Sequence, residues 1–154
     1  MPDPEATDAR RPPPPSPGGA GFGRWPWWRR WFGRRSERAA ARYVRRTLRL
    51  RLLAVNVADA GGELDILALD GATIVVVEVR SVSDPDPTRA AESVDFVKQK
   101  KLTETTLRFL ARRRLLDHPV RFDVLAISWP PGQRPAFRYI RHAFEATGRF
   151  QFFS

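Results

Sequence analysis

The sequence predicts an α/β domain built on a mixed central β-sheet flanked by helices. Three observations carry that expectation. The stretch GELDILALDGATIVVVEVRS, Gly62 to Ser81, reads as two β-strands joined at Asp70-Gly71, a strong short-range hairpin signal. Within it, the run from Ile74 to Val79 scarcely alternates between apolar and polar residues, as expected of a strand covered on both faces. Around the hairpin the patterns follow the order helix, strand, hairpin, helix, strand, strand, which suits a mixed sheet with helices packed on it.

Each element has its own warrant. The first helix is predicted over Ser36 to about Thr47, where Ala39, Ala40 and Ala41 are strong helix formers and Ala40, Tyr43, Val44 and Leu48 make an apolar stripe. Arg38, Arg42, Arg45, Arg46 and Arg49 fall off that stripe and form a cationic exterior. Glu37 falls in the predicted first turn, where a carboxylate complements the helix dipole. Leu50 to Val57 reads as a strand, followed by a loop through Asp59, Gly61 and Gly62 into the hairpin. Pro85 and Pro87 break the chain after Ser81, and a second helix is expected from about Ala90 to Leu115. Its inward stripe comprises Val94, Val97, Lys98, Lys101, Leu102, Thr105, Phe109 and Leu110. Val120 to Trp129 and Ala136 to His142 read as the last strands, separated by a proline-rich turn. The aromatic end, Phe144 to Phe153, would pack back or mediate dimerisation.

Composition bounds the function. A chain of 154 residues holds one modest domain with a real core. Residues 1–33 form a leader that is expected to be disordered, rich in proline from Pro12 to Pro17 and in tryptophan and arginine from Trp25 to Phe32. Residues 34–154 form the domain. There is no cysteine, hence no disulfide framework and no thiolate zinc site, which is compatible with a cytoplasmic location. No apolar run reaches membrane-spanning length, and the acidic, proline-rich N-terminus does not read as a signal peptide. The net charge of +10 is uneven, with +8 in residues 1–50 and +2 in the remainder. Such a balance favours a polyanion, either nucleic acid or an anionic membrane surface. The tryptophan and arginine cluster suits three ends equally: unpaired bases and phosphates, a bilayer interface, or the domain's own apolar surface.

The hairpin carries the chemistry. With an even-length loop centred on Asp70-Gly71, facing residues have numbers summing to 141, so Glu63 opposes Glu78 and Asp65 opposes Val76. Period-two alternation then puts Glu63, Asp65, Glu78 and Arg80 on one face, with Leu64, Ile66, Val75, Val77 and Val79 on the other. Asp65 and Glu78 become diagonal neighbours about 7–8 Å apart at the backbone. Three clustered carboxylates repel one another unless solvent, a basic group or a divalent cation compensates them. Oxygen-only ligands favour a hard ion such as Mg²⁺ or Mn²⁺. A plain edge ribbon facing water is the other reading. Lys98 shares its helical register with Val94, Leu102 and Leu110, so it is expected to point toward the sheet and its carboxylates. His118 and His142 have no nucleophile at suggestive spacing, and no Walker-type or GxGxxG glycine pattern occurs.

From Gly33 to about Phe144 the chain resembles the YraN-like family of small uncharacterised bacterial proteins, which share the restriction-endonuclease-like fold of the PD-(D/E)xK nuclease superfamily. The resemblance is carried by Glu37 with Ala40 and Tyr43, Asn56, GELDILALDG, VVVEVRS, Lys98 with Leu102, Arg121-Phe122-Asp123-Val124, and Ala143-Phe144. It implies a restriction-endonuclease-like core in residues 34–154. Asp65 and Glu78 would hold the divalent ion, helped by a backbone carbonyl near Val79, with Glu37 or Glu63 as accessory carboxylates. The ion would neutralise phosphate charge and lower the pKa of the attacking water. The superfamily's lysine, two residues after the glutamate, is Arg80 in this chain. Arginine keeps its proton at every relevant pH, whereas a buried lysine is tunable. Arg80 would therefore fix the phosphate, and Lys98 would supply the amine from the neighbouring helix. Arg38, Arg42, Arg45 and Lys101 are the expected phosphate contacts, with DNA favoured over RNA as the partner. Two copies pairing as a homodimer would suit a two-fold substrate. The implied activity is Mg²⁺- or Mn²⁺-dependent endonucleolytic hydrolysis. Its alternatives are a module that binds nucleic acid without cutting it, and a membrane-surface adaptor acting through the leader.

Overall fold

The computed structural model describes residues 26–82 and 94–147, with side chains from residue 34 onward in the first helix. The predicted order of elements is found: α1 (Pro26–Arg46), β1 (Arg51–Asp59), β2 (Gly62–Asp70), β3 (Thr73–Val82), α2 (Phe96–Arg112), β4 (Val120–Ser128) and β5 (Ala136–Phe144). The strands form one mixed sheet in the order β1-β2-β3-β4-β5. Three pairings are antiparallel, and β3 runs parallel to β4. A parallel pair needs a long crossover, which α2 supplies. The α/β class read from the sequence holds. Residues 1–25 of the predicted leader, the start of the second predicted helix at Ala90, and the aromatic end beyond residue 147 lie outside the described residues.

Both faces of the sheet are covered. On one, Ala40, Val44 and Leu50 pack on Ile66, Ala68, Val75, Val77, Leu125 and Ile127. On the other, Leu102 and Leu110 of α2 pack on Leu64, Leu67, Ile74, Val76, Phe122 and Val124. Consecutive β3 residues thus enter opposite cores, which is why Ile74 to Val79 does not alternate.

Three expectations are corrected. Helix α1 begins at Pro26, ten positions before Ser36. Proline suits a first helical position because its missing N–H would have no partner there. Glu37 therefore sits mid-helix, and its reading as a dipole complement in the first turn falls. The second correction concerns the hairpin. Its facing residues sum to 143, from Asp70↔Thr73 to Ile66↔Val77. The loop pair is Gly71-Ala72, with Gly71 at φ +61° and Ala72 at negative φ, as in a type II′ turn with glycine first. Asp65 accordingly opposes Glu78, and Glu63 does not. Third, the α2 stripe takes hold only after the first turn. Asp95 caps the helix by accepting from the Lys98 N–H at 2.8 Å, and Val97, expected inside, is 75% exposed. Lys101 is also exposed, while Thr103 and Thr106 are buried beside Leu102, Thr105 and Leu110.

Candidate active site

The β2–β3 ladder stops at Ile66↔Val77, while β2 continues against β1 as far as Asp59↔Gly62. The two strands of the hairpin thus part where Asp65 and Glu78 face each other. Asp65 fills the gap, its Oδ2 accepting from the Val79 N–H at 2.8 Å in place of a backbone carbonyl. On β1, the pairing passes over Asn56, the residue opposite Asp65, which adopts φ +52°. Asparagine is among the residues that tolerate this left-handed conformation. Opposite Asn56, the alternation along β2 is broken. Leu64 joins Leu67 in the α2 core, three residues apart, and does not share a face with Ile66 as expected.

Asn56 then donates from Nδ2 to Glu37 Oε2 at 2.9 Å, bringing a third carboxylate from α1 toward the opening. Its neighbour Ser36 fixes that approach. Buried at 3% exposure, Ser36 donates from Oγ to Ser81 Oγ at 2.9 Å and accepts from Trp129 Nε1 at 3.0 Å. The Arg35 guanidinium lies over the Trp129 ring, 4.1 Å from its centroid. Sequence reading missed this pin. Its signal was a serine one helical turn before Ala40 on the buried stripe.

Glu78 is 4% exposed and faces two cations. Its Oε1 lies 3.1 Å from Lys98 Nζ and 3.6 Å from Arg80 Nε. Lys98 thus reaches the carboxylates as its helical register predicts. Glu78 Oε2 and Arg80 Nε are buried without a hydrogen-bond partner, a costly state for charged groups. The Asp65 carboxyl is pushed up from its ordinary value of 3.8 to about 7. Burial is the main cause and the negative charge of Glu78 the second, with Glu37 adding a little; the Val79 N–H and Lys98 pull the other way. Lys98 and Arg80 both face one oxygen of Glu78, while its Oε2 and the half-buried Asp65 carboxyl have no cation against them among the described residues. The donors are all oxygen, so a hard divalent cation between Asp65 and Glu78 fits the residues present.

The other predicted residues fall as follows. Glu63 is exposed and pairs across β1 with Ala58, so the expected three-carboxylate cluster reduces to Asp65 and Glu78, with Glu37 nearby. Among the described residues, no group of three or more His, Cys, Asp or Glu side chains stands close enough to hold a metal by itself. Arg38, Arg42 and Arg45 are exposed along α1, and Lys101 is exposed on α2.

A second polar centre, invisible to the sequence reading, lies on the α1 face near the hairpin turn. Fully buried Asp123 accepts from Arg121 Nε at 3.0 Å, from the His142 N–H at 2.7 Å and from the Tyr139 hydroxyl. Arg121 also donates from Nη1 to Asp70 Oδ2 at 2.9 Å. Burial works against the Arg121 charge, yet its bonds to Asp123 and Asp70 hold its pKa above the ordinary arginine value. With every carboxylate partnered, this centre welds β4 to the hairpin and to β5.

Residues 36–127 match the model of the family described as uncharacterised protein family UPF0102. A UPF0102 protein of Rhodopirellula baltica is 40% identical over 126 residues, covering 79% of this chain and 75% of that protein. One from Pseudomonas syringae pv. syringae is 41% identical over 115 residues, 74% of this chain and 93% of that protein. One from Stutzerimonas stutzeri is 48% identical over 98 residues, 63% of this chain and 81% of that protein. The matched span takes in Glu37, Asn56, Asp65, Glu78, Arg80 and Lys98 together, and the chain belongs to the UPF0102 family, in agreement with its YraN-like resemblance.

Proposed function

We propose that this protein is a nucleic-acid phosphodiesterase with a restriction-endonuclease-like core, dependent on Mg²⁺ or Mn²⁺ and acting in the cytoplasm. One observation carries the reading: buried Glu78 and half-buried Asp65 stand together at the point where β2 leaves β3, with Glu78 Oε2 unpartnered and two cations beside it. Asp65 and Glu78 are the residues that would hold the ion, whose chemistry is to neutralise phosphate charge and acidify a water. Asn56 sets the position of Glu37, and the Val79 N–H orients the Asp65 carboxyl. Lys98, about one-third exposed, presents its ammonium to an incoming phosphate oxygen. Arg80 offers a planar guanidinium suited to a bidentate phosphate contact. The exposed arginines of α1 add sequence-independent attraction for the backbone.

Arg80 also supports a second reading, a module that binds nucleic acid without cutting it. A guanidinium orients a phosphate but does not take a proton from water. A cleavage assay on labelled linear, single-stranded and branched substrates separates the two. Wild type is expected to cut in Mg²⁺ or Mn²⁺, to stop in EDTA, and to lose activity in Glu78→Gln. Arg80→Lys is expected to cut faster. Binding without cutting in either metal favours the module, and failure to bind any substrate refutes both.

A further inference from the structure

We propose that the flank of α2 from Lys98 to Arg112 is a track for the nucleic-acid backbone on one side of the carboxylate pair, so that the substrate is an internal phosphodiester of a continuing chain and not a terminal or mononucleotide ester. This rests on the nucleic-acid reading above and names its substrate class. At 3.6 residues per turn, Lys98, Lys101, Arg108 and Arg112 fall within an arc of about 80° around the helix. Their contacts place that arc over the β1–β2 turn and the strands that leave it. Lys98 Nζ lies 3.1 Å from Glu78 Oε1, and Arg112 Nη1 meets Asp59 Oδ1 at 2.9 Å. Between them, Lys101 Cε lies 3.0 Å from where a Cβ on Gly62 would stand, and a Cβ on Gly61 would fall inside the Arg108 guanidinium. Gly61 has no positive φ to account for it, so its missing side chain serves to seat that guanidinium. The four cations thus run from the carboxylates to the end of β1, about 21 Å along the helix axis. That length matches about six steps of one duplex strand at roughly 3.4 Å each.

The charges are layered for a ligand outside. The Glu78 and Asp59 side chains are 4% and 3% exposed, whereas Arg108 is 48% and Arg112 65% exposed. Two carboxylates therefore lie beneath the track and the cations lie above them. Glu104 is the exposed exception, 4.0 Å from Arg108, and an open pair of that kind contributes little. A guanidinium has five N–H donors, so these contacts leave donors on both arginines for phosphate oxygens. Lys100 is exposed on the same helix but lies outside the arc, which makes it the natural comparison. An anionic bilayer would draw the same charges, but it gives no reason for their line to end at Glu78 and Asp65.

The test compares the full-length wild type with Arg108→Gln, Arg112→Gln, Arg112→Lys and Lys100→Gln, measured in EDTA so that nothing is cut. The probes are a duplex of about 20 base pairs titrated over a range of salt, a dinucleotide, and vesicles of anionic phosphatidylglycerol. Arg108→Gln and Arg112→Gln should each weaken duplex binding several-fold at physiological salt and lower the slope of log affinity against log salt by about 0.9. Arg112→Lys keeps the charge and should restore the slope, and Lys100→Gln should leave it unchanged. The dinucleotide, too short to reach from Glu78 to Arg108, should bind far more weakly and equally to every variant. Unchanged slopes in both glutamine variants of the track, an equal fall in Lys100→Gln, or a dinucleotide bound as tightly as the duplex overturns this inference and leaves the nucleic-acid reading standing. Loss of vesicle binding in Arg108→Gln and Arg112→Gln, with duplex binding unaltered, overturns it in favour of a lipid surface. No binding of the duplex by wild type overturns the reading on which it rests.

Discussion

At Asp65 a carboxylate stands where the ladder would place a carbonyl, and the proton balance of the metal-free protein follows from that position. Unfolded, Asp65 ionises at its ordinary 3.8; folded, it does so only at about 7. Between these values the native state holds a proton that the unfolded state has released, so this group's contribution is full below pH 3.8 and is lost as pH rises through 7. Asp65→Asn should therefore unfold at higher denaturant than wild type at pH 8 in EDTA, by on the order of 2 kcal/mol, with the gain fading toward pH 4. An equal effect at both pH values would refute the assignment of the raised pKa to Asp65. If Mg²⁺ or Mn²⁺ binds at Asp65 and Glu78 as proposed, added metal should raise the wild-type midpoint more at pH 8 than at pH 5, where protons compete for the same oxygens.

Between elements, the β1–β2 turn passes beneath the cationic side of α2, and its two glycines are needed to different degrees. A Cβ on Gly61 would meet the Arg108 guanidinium at 2.1 Å, the far end of a side chain that has room to swing away. A Cβ on Gly62 would lie 3.0 Å from Lys101 Cε and 3.2 Å from Thr105 Oγ1, on a backbone at φ +149° that other residues rarely adopt. Gly62→Ala is expected to cost about 1–3 kcal/mol in urea unfolding and Gly61→Ala clearly less; the reverse order would refute this account. The same level shows what the sequence made legible. The Asp70-Gly71 signal announces the hairpin, but whether glycine takes the first or second loop position is a matter of backbone sign, and the choice moves the register by two. Because two is even, the faces of Glu78 and Arg80 survive the shift even though their opposite residues do not. Lys98 was readable from helical spacing alone. The left-handed backbone of Asn56 and its bond to Glu37 were not, nor was the break in alternation on β2 that places Leu64 in the α2 core. The Arg121, Asp123 and Asp70 centre joins residues 51 positions apart, beyond the reach of any local pattern.

For the whole molecule, the sheet separates two kinds of charge. Buried charge is paired at Asp123, with Arg121, and at Glu78, with Lys98 and Arg80, whereas the surplus positive charge lies outside, much of it on α1. No helix among the described residues is long and apolar enough to cross a membrane. If α1 tracks a phosphate backbone, Arg42→Gln should weaken binding by a similar factor on every sequence and lower the slope of log affinity against log salt by about 0.9. An unchanged slope would move the contact away from α1. The hydrogen bond from Val79 to Asp65 has a consequence of another kind. That amide lies in the central strand of the sheet, yet its partner is a titrating side chain and not a backbone carbonyl. Its proton resonance is thus a built-in indicator: it should shift with pH around Asp65's midpoint, shift again when a metal claims the carboxylate, and hold still in Asp65→Asn. The protein carries its own readout of whether its centre is protonated, ionised or loaded.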